Sequence, residues 1–487
     1  MKTKNTKSFA SRWGFILASV GSAVGMANVW GFPNKMGSNG GGAFLLIYLL
    51  FVVIFSTVGL PTEFAMGRRA GTGTLGAYEN AWATRGKTAG KVGGLLGWLP
   101  LAGSLCIAIG YAVIVTYILK ALADSLLGTL MTGDAAVWFA SFSTQPYSVI
   151  PYHVIVVAGT LLTLFLGAHS IEKTNKVMMP LFFLIFVVLA VRVALLPGSA
   201  EGYKFMFSPD FSVFSNPEIG FGRVLKNAAG QMFFSLSIGL GVMMTYGSYL
   251  GKQEHLQRNA LIVCGADTLI AVMAGMAVMP ACAAFGVEYG AGPGLLFASM
   301  QTVFAHMGSI GNFIGFIFYL LVLIAALTSS ISMLELCTAY AVDKQIDKGL
   351  TPKRAKHTAS VAALVFVAGS LVALDGLGAG VAGGAAVETP ATLFGLSVHG
   401  WNDCWLDLYD MVAEGILMPL GALVMTILIG WVLKPEVVQL ECEQSGLKYR
   451  AAGYFKLCFK FIVPVLLAFI LFCQLIDFFG LKIPGLS

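Results

Sequence analysis

Asp267 is the residue whose chemistry most needs explaining, because it sits in the apolar run ALIVCGADTLIAVMAG. An unpaired carboxylate at the centre of a bilayer costs at least about 3 kcal/mol, so it needs a cation partner or, alternatively, a proton or a water-filled cavity. A bound cation in turn needs several oxygens at short range, from carbonyls, hydroxyls or carboxamides. The run from Ala18 to Phe32, ASVGSAVGMANVWGF, lies in an apolar stretch of spanning length yet holds Gly21, Gly25, Gly31 and a lone Asn28. Each interior glycine costs about 1 kcal/mol relative to alanine, and backbone groups freed in hydrocarbon must find partners. A helix broken here offers its carbonyls to an ion; the Gly21-x-x-x-Gly25 spacing equally suits close packing of two membrane helices. A second interrupted run, Gln231 to Tyr249, QMFFSLSIGLGVMMTYGSY, again sets Gly and Ser inside an apolar span. Two broken spans in corresponding places point to an inverted-repeat carrier.

Enzymatic chemistry finds no comparable set. His153, His169, His255, His306, His357 and His399 are scattered near loop ends, with neither a nucleophile and base nor a metal triad among them. Cys106, Cys264, Cys282, Cys337 and Cys473 lie inside apolar spans without metal-type spacing and read as small packing residues. With 57% hydrophobic and 11% charged residues and a mean hydropathy of +0.81, the chain reads as a polytopic protein of the cell membrane. The net charge of +6 does not indicate a nucleic-acid partner. Lys and Arg cluster at Lys2 to Arg12, Arg68 to Lys91, Lys344 to Lys356 and Lys434 to Lys460, on alternate loops. That pattern places the N-terminus and the even-numbered loops in the cytoplasm. No cleavable signal peptide is visible, so the first helix is expected to start insertion itself.

The elements that must position these residues are apolar runs at roughly 12–36, 42–69, 93–127, 151–168, 175–197, 222–248, 257–285, 311–342, 357–374, 406–433 and 455–479, about eleven spans. The chain then divides into a cytoplasmic tail (1–11), a first five-helix repeat (12–197), an extracellular loop (198–221), a second five-helix repeat (222–433), and an eleventh helix with the C-terminus (434–487). An odd number of crossings inverts the second repeat and leaves the C-terminus outside. The Gly/Ala-rich stretch 376–400 lacks the apolar density of a span and reads as part of a long outer loop, 375–409.

Ordered motifs carry a resemblance. AVGMAN, FP, NGGGAF and EFAMGR follow one another between Phe15 and Arg68, GQMFFSLSIGLG occupies Gly230 to Gly241, and AALTSSIS occupies Ala325 to Ser332. In these the chain resembles the neurotransmitter:sodium symporter family, best known from its bacterial leucine transporter, with the likeness weakening after Leu374. The resemblance implies an all-α leucine-transporter-type 5+5 inverted repeat, its first and sixth helices unwound at mid-membrane, and sodium-coupled symport of a neutral amino acid into the cell. It implies two sodium sites. The first would use the Ala23 carbonyl, the Asn28 side chain, Ser235, Asp267 and the substrate's own carboxylate. The second would use carbonyls of Gly21, Val24 and Ala325 with the hydroxyls of Thr328 and Ser329, although such hydroxyls also bond back to helix carbonyls routinely. Chloride-dependent relatives have a neutral Asn at the position aligned with Asp267, so chloride is expected to be unnecessary here.

By the same resemblance Gly25 reads the substrate class. Relatives that carry monoamines have a carboxylate at this position, whereas a hydrogen leaves room for a substrate carboxylate against sodium. Amides near Gly25 and Ala27, at a half-helix N-terminus, and the Tyr111 hydroxyl would bind that carboxylate; carbonyls and the Ser237 region would take the ammonium group. Ala23, Ser235 and Ser329 are further expected contacts, and Ile107, Phe234, Leu240 and Met333 would form an apolar remainder. Such pockets discriminate methylenes by only about 1 to 3 kcal/mol, which fits a neutral aliphatic or aromatic side chain.

Gates complete the expectation. Glu63 resembles the family's buried acid that accepts amides from the broken sixth helix, and Gln231, Phe234 and Tyr111 match the outer lid. Gly31 stands where the family has an Arg that pairs with the acid matched by Asp410. Lys35, one helical turn further on, is the candidate replacement. Asp343 matches the inner-gate acid, with Lys7 as candidate partner because the usual Arg aligns with Thr6. The expected partners are a small amino acid and the lipid bilayer. A sodium-independent exchanger of the same fold would lack the Asn28, Asp267, Thr328 and Ser329 set, and a transporter-like sensor would show no net flux.

Overall fold

The structure is a computed structural model that describes residues 9, 11–130, 133–145, 147–165, 167–216, 219–289, 296–297, 300–378, 392–393, 396–397, 404–479, 481 and 483. Among these the chain is all-α apart from a two-residue antiparallel pair, Thr392–Leu393 with Leu396–Ser397. Among the described residues 8 helices are long and apolar enough to cross a membrane, or 9 when the bent pair Arg12–Ala23 and Ala27–Ser38 counts as one span. Two more of the expected spans fall below that test for identifiable reasons. Ile150–Leu164 has only 15 residues, and the sixth expected span is split into Gly220–Ser235 and Val242–Gly247.

Most boundaries fall within a few residues of those read from the sequence, with two instructive exceptions. The third span begins at Lys87, and the fifth runs over Ala168–Ala194 rather than 175–197. His169, Glu172, Lys173 and Lys176 resemble a loop in the sequence. In the structure Gly167, at φ 69°, turns the chain into the helix, and Glu172 is buried, held by Lys176 at 2.6 Å and by the Ser11 hydroxyl at 2.8 Å. The expected loop 198–221 contains a helix, Ser199–Phe207. Most of the expected outer loop 375–409, and the tail with Thr6 and Lys7, lie outside the described residues.

Burial sorts the spans into two shells. In Gly311–Asp347 and Lys87–Leu126, 72% and 67% of the most apolar window is buried, against 33% in Ala168–Ala194, Arg354–Leu374 and Ala452–Ile476. The first two therefore wall the interior, and the last three present the lipid-facing surface. The half-helix Arg12–Ala23 packs against Ala168–Ala194, Leu256–Phe285 and Gly311–Asp347, so its broken end lies among buried neighbours.

Each break has a local cause. Ser11 opens the first span by accepting the Gly14 N–H at 3.0 Å, a capping bond. The helix stops at Val24, whose backbone is extended at φ −74°, ψ 102°. The Gly25 N–H then goes to Asn28 Oδ1 at 3.1 Å and the Met26 N–H to the Tyr111 hydroxyl at 3.2 Å. In a continuous helix those donors would serve the carbonyls of Gly21 and Ser22. In the sixth span the chain turns through left-handed backbone at Ser237 (φ 53°), Gly239 (φ 85°) and Gly241 (φ 76°). The Gly239 N–H donates to Glu63 Oε1 at 2.8 Å. A Cβ at Gly239 would stand 2.7 Å from the Met418 carbonyl oxygen, so glycine answers both the backbone angle and the close approach.

Candidate cation and substrate site

Asn28, Ser235 and Asp267 converge where the two breaks meet, each fully buried. The Asn28 amide donates to Asp267 Oδ1 at 2.8 Å, to the Asp267 carbonyl at 3.1 Å and to Ser235 Oγ at 3.0 Å; Ser235 Oγ donates to Asp267 Oδ2 at 2.7 Å. Every one of these partners is neutral. Among the described residues no Lys, Arg or His forms an ion pair with Asp267. The Asp267 carboxyl, the Ser235 hydroxyl and the Asn28 carboxamide, whose Oδ1 accepts the Gly25 N–H, thus bring together oxygens of the kind that suit a small hard cation.

A second group of oxygens lies on the other side of the first break. Gly21, Val24, Ala325, Thr328 and Ser329 are all buried. A Cβ built on Gly21 would come within 3.3 Å of the Thr328 Cβ, so the end of the first half-helix rests against the eighth span. Thr328 Oγ1 donates to the carbonyls of Ala325 at 2.9 Å and Ile324 at 3.2 Å, and Ser329 Oγ reaches the Ser22 carbonyl at 3.3 Å. Asn175, on the fifth span, also faces Gly21. Its amide nitrogen bonds the Ile171 carbonyl at 2.9 Å, while its buried Oδ1 has no partner among the described residues.

Between these groups is a small cavity of about 20 Å³. Ala23, Gly25, Ala27, Ile107, Tyr111 and Phe234 line it, together with Ser237, Leu240, Ser329 and Met333. Ser235 does not; it stands behind the wall in the Asp267 cluster. Gly25 is the tightest point, since a Cβ there would lie 2.5 Å from Ser329 Oγ and 3.0 Å from the Tyr111 hydroxyl. Above the cavity opens a vestibule of about 420 Å³. Met26, Ile107, Tyr111 and Phe234 belong to both spaces and so form the partition between them. Gln231 braces it from the side, donating to the Ala27 carbonyl at 2.6 Å.

The vestibule also holds Lys35, Asp410 and Glu414. Lys35 Nζ pairs with Glu414 Oε1 at 2.7 Å, and Asp410, the expected partner, lines the same space. Lys35 and Glu414 come from different helices, Phe32–Ser38 and the span Trp405–Leu433, and Glu414 lies one turn beyond Asp410. At the opposite end, Asp343 Oδ2 accepts the Gly73 N–H at 2.7 Å and the Thr72 hydroxyl at 2.8 Å, fixing the turn after Gly42–Ala70.

Residues 6–149 and 146–382 match the model of the sodium:neurotransmitter symporter family. A Haemophilus influenzae protein described as an uncharacterized sodium-dependent transporter is 33% identical over 485 residues, 97% of this chain and 99% of that one. This chain belongs to the sodium:neurotransmitter symporter family. The crystal structure of MhsT in complex with L-phenylalanine superposes with a TM-score of 0.81 at 30% identity, covering 96% of this chain and 99% of that one. A Bos taurus sodium-dependent neutral amino acid transporter, B(0)AT2, is 24% identical over 303 residues, 55% of this chain and 39% of that one. The protein is therefore a multi-pass, sodium-dependent transporter of the leucine-transporter-type fold, and not an enzyme.

In this symporter, Ser22, Met26 and Asn175 are site residues that the sequence reading does not name. Ser22 and Met26 line the cavity, and the Ser22 carbonyl takes hydroxyls from Ser237 at 3.4 Å and Ser329 at 3.3 Å. Both sit inside the run AVGMAN or beside it and act through backbone atoms, which side-chain identity does not reveal. Asn175 carries a sequence signal, a lone carboxamide bordering an apolar run, but the misplaced start of the fifth span hides it.

Proposed function

We propose that the transporter couples inward sodium flow to uptake of a neutral α-amino acid, without a requirement for chloride. The observation that carries this reading is the buried Asp267 carboxylate, held only by neutral donors, beside a cavity that Gly25 leaves open. Sodium at Asn28, Ser235, Asp267 and the Ala23 carbonyl would complete that charge, with the substrate carboxylate as a further ligand. A second sodium would lie among Gly21, Val24, Ala325, Thr328 and Ser329. The ammonium group would sit near Ser237, and the side chain among Ile107, Phe234, Leu240 and Met333. MhsT in complex with L-phenylalanine, and a relative named for neutral amino acids, favour the same class.

A cavity of about 20 Å³ has room for about one water molecule, so substrate enters only when the partition of Tyr111 and Phe234 opens. Sodium and substrate that share a ligand sphere raise each other's affinity by the same factor. An inside-negative potential adds about 2.3 kcal/mol per charge per 100 mV, which drives accumulation when two sodium ions accompany each substrate. Alternating access would rock the two broken spans with their neighbours against the rest, with Lys35, Glu414 and Asp410 closing the outer side and Asp343 the inner. The basic loops favour a cytoplasmic N-terminus, and eleven crossings would then leave the C-terminus outside.

The test is uptake of a panel of labelled amino acids into proteoliposomes, with sodium or potassium and chloride or gluconate outside. Sodium-dependent, chloride-indifferent accumulation of a neutral amino acid is expected. Equal uptake in potassium would mean exchange without sodium coupling, and substrate binding without net flux would mean a sensor.

A further inference from the structure

A cavity of about 710 Å³ lies far from the substrate path, between Gly42–Ala70, the start of Leu256–Phe285 and the connection into Ala452–Ile476. His255, Arg258, Lys448 and Arg450 line it, and no Asp or Glu does. The neighbouring acids are engaged elsewhere: Glu441 pairs with Arg68 at 2.7 Å, Glu254 with Arg12 at 3.8 Å, and Glu443 accepts the Tyr449 N–H at 2.9 Å. Among the described residues no carboxylate pairs with Arg258, Lys448 or Arg450, and the buried His255 Nδ1 has no hydrogen-bond partner. The backbone beneath is fixed, because the Arg450 N–H donates to Gln257 Oε1 at 3.2 Å and the Gln257 amide returns a bond to the Arg450 carbonyl at 3.3 Å.

The rim is apolar. Leu261, Leu447 and Tyr454 line the cavity and are 51%, 56% and 37% exposed. Unpaired cations beside exposed apolar side chains at the end of membrane spans are complementary to one kind of molecule, an anion carried on acyl chains. Basic pockets between spans on the cytoplasmic side recognise lipid headgroups in this way. We infer that this cavity is a binding site for the phosphate headgroup of an anionic phospholipid of the cytoplasmic leaflet, with Arg258, Lys448 and Arg450 as its cationic contacts and Leu261, Leu447 and Tyr454 against the acyl chains.

Native mass spectrometry of the purified full-length protein, titrated with phosphatidylglycerol or phosphatidylcholine, tests this directly. Phosphatidylglycerol is expected to be retained in preference to phosphatidylcholine. Each cation removed should weaken retention about five-fold, on the order of 100-fold for the triple variant Arg258→Ala, Lys448→Ala, Arg450→Ala. The charge-conserving triple variant Arg258→Lys, Lys448→Arg, Arg450→Lys should retain the lipid, which separates loss of charge from misfolding. Removing Lys87, Lys91 and Lys348, exposed cations away from the cavity, should leave retention unchanged. Equal retention of both lipids, or by the alanine variant, would overturn the assignment. Displacement of phosphatidylglycerol by millimolar inorganic phosphate would overturn the lipid in favour of a free anion.

Discussion

Two acidic clusters lie on either side of the partition, and each holds more acid than base: Asp267 alone at the centre, and Asp407, Asp410 and Glu414 with Lys35 in the vestibule. At the centre, the Asp267 carboxyl is hydrogen-bonded, among the described residues, by the Asn28 amide and the Ser235 hydroxyl, at 2.8 and 2.7 Å, and none of the three is exposed. In the vestibule, Lys35 serves Glu414 with Asp410 beside it, and the Lys35 and Glu414 side chains are 25% and 17% exposed. What separates the clusters is exposure and a base. The Lys35–Glu414 pair is part-exposed to the vestibule, whereas Asp267 is fully buried and, among the described residues, has no basic side chain beside it. Under the proposed coupling, a mobile cation would therefore matter far more at Asp267 than at the outer cluster.

Substitutions sharpen that contrast. Asp267→Ala should have the largest effect, lowering apparent sodium affinity by about 100-fold or more, in line with the cost of at least about 3 kcal/mol for an uncompensated charge at mid-membrane. A sodium titration of uptake checks it. Gly25→Ala comes next, because its Cβ must displace Ser329 Oγ or the Tyr111 hydroxyl. Overpacking of this kind costs about 1 to 3 kcal/mol, so the substrate KM should rise roughly ten-fold or more. Lys35→Ala should have the smallest effect. A part-exposed pair is worth up to about 1 kcal/mol, so KM should change no more than about five-fold, and less at high salt. A loss as deep as that of Asp267→Ala would erase the distinction between the clusters.

The same contrast explains what the sequence discloses. Asp267 and the glycine-broken spans are legible because charge and glycine inside apolar runs violate a strong physical rule, and the family motifs add Asn28, Ser235, Thr328 and Ser329. The Lys35 partner is not legible, since Asp410 and Glu414 lie one turn apart and only the packing of the two helices selects between them. Glu172 misleads for a related reason: a buried acid with partners at Ser11 and Lys176 has the local appearance of a loop. Contacts made by backbone atoms, such as the Ser22 carbonyl and the Met26 N–H, leave no mark in residue type at all.

If sodium is the partner of Asp267, the purified protein should bind it without chloride. Equilibrium binding of radiolabelled sodium to the purified protein, in chloride-free gluconate buffer with and without L-phenylalanine or another transported neutral amino acid, tests it most directly. Chloride-independent sodium binding that the substrate strengthens is expected, with one site lost in Asp267→Ala. Unaltered sodium binding in Asp267→Ala, or binding that appears only with chloride, would contradict it.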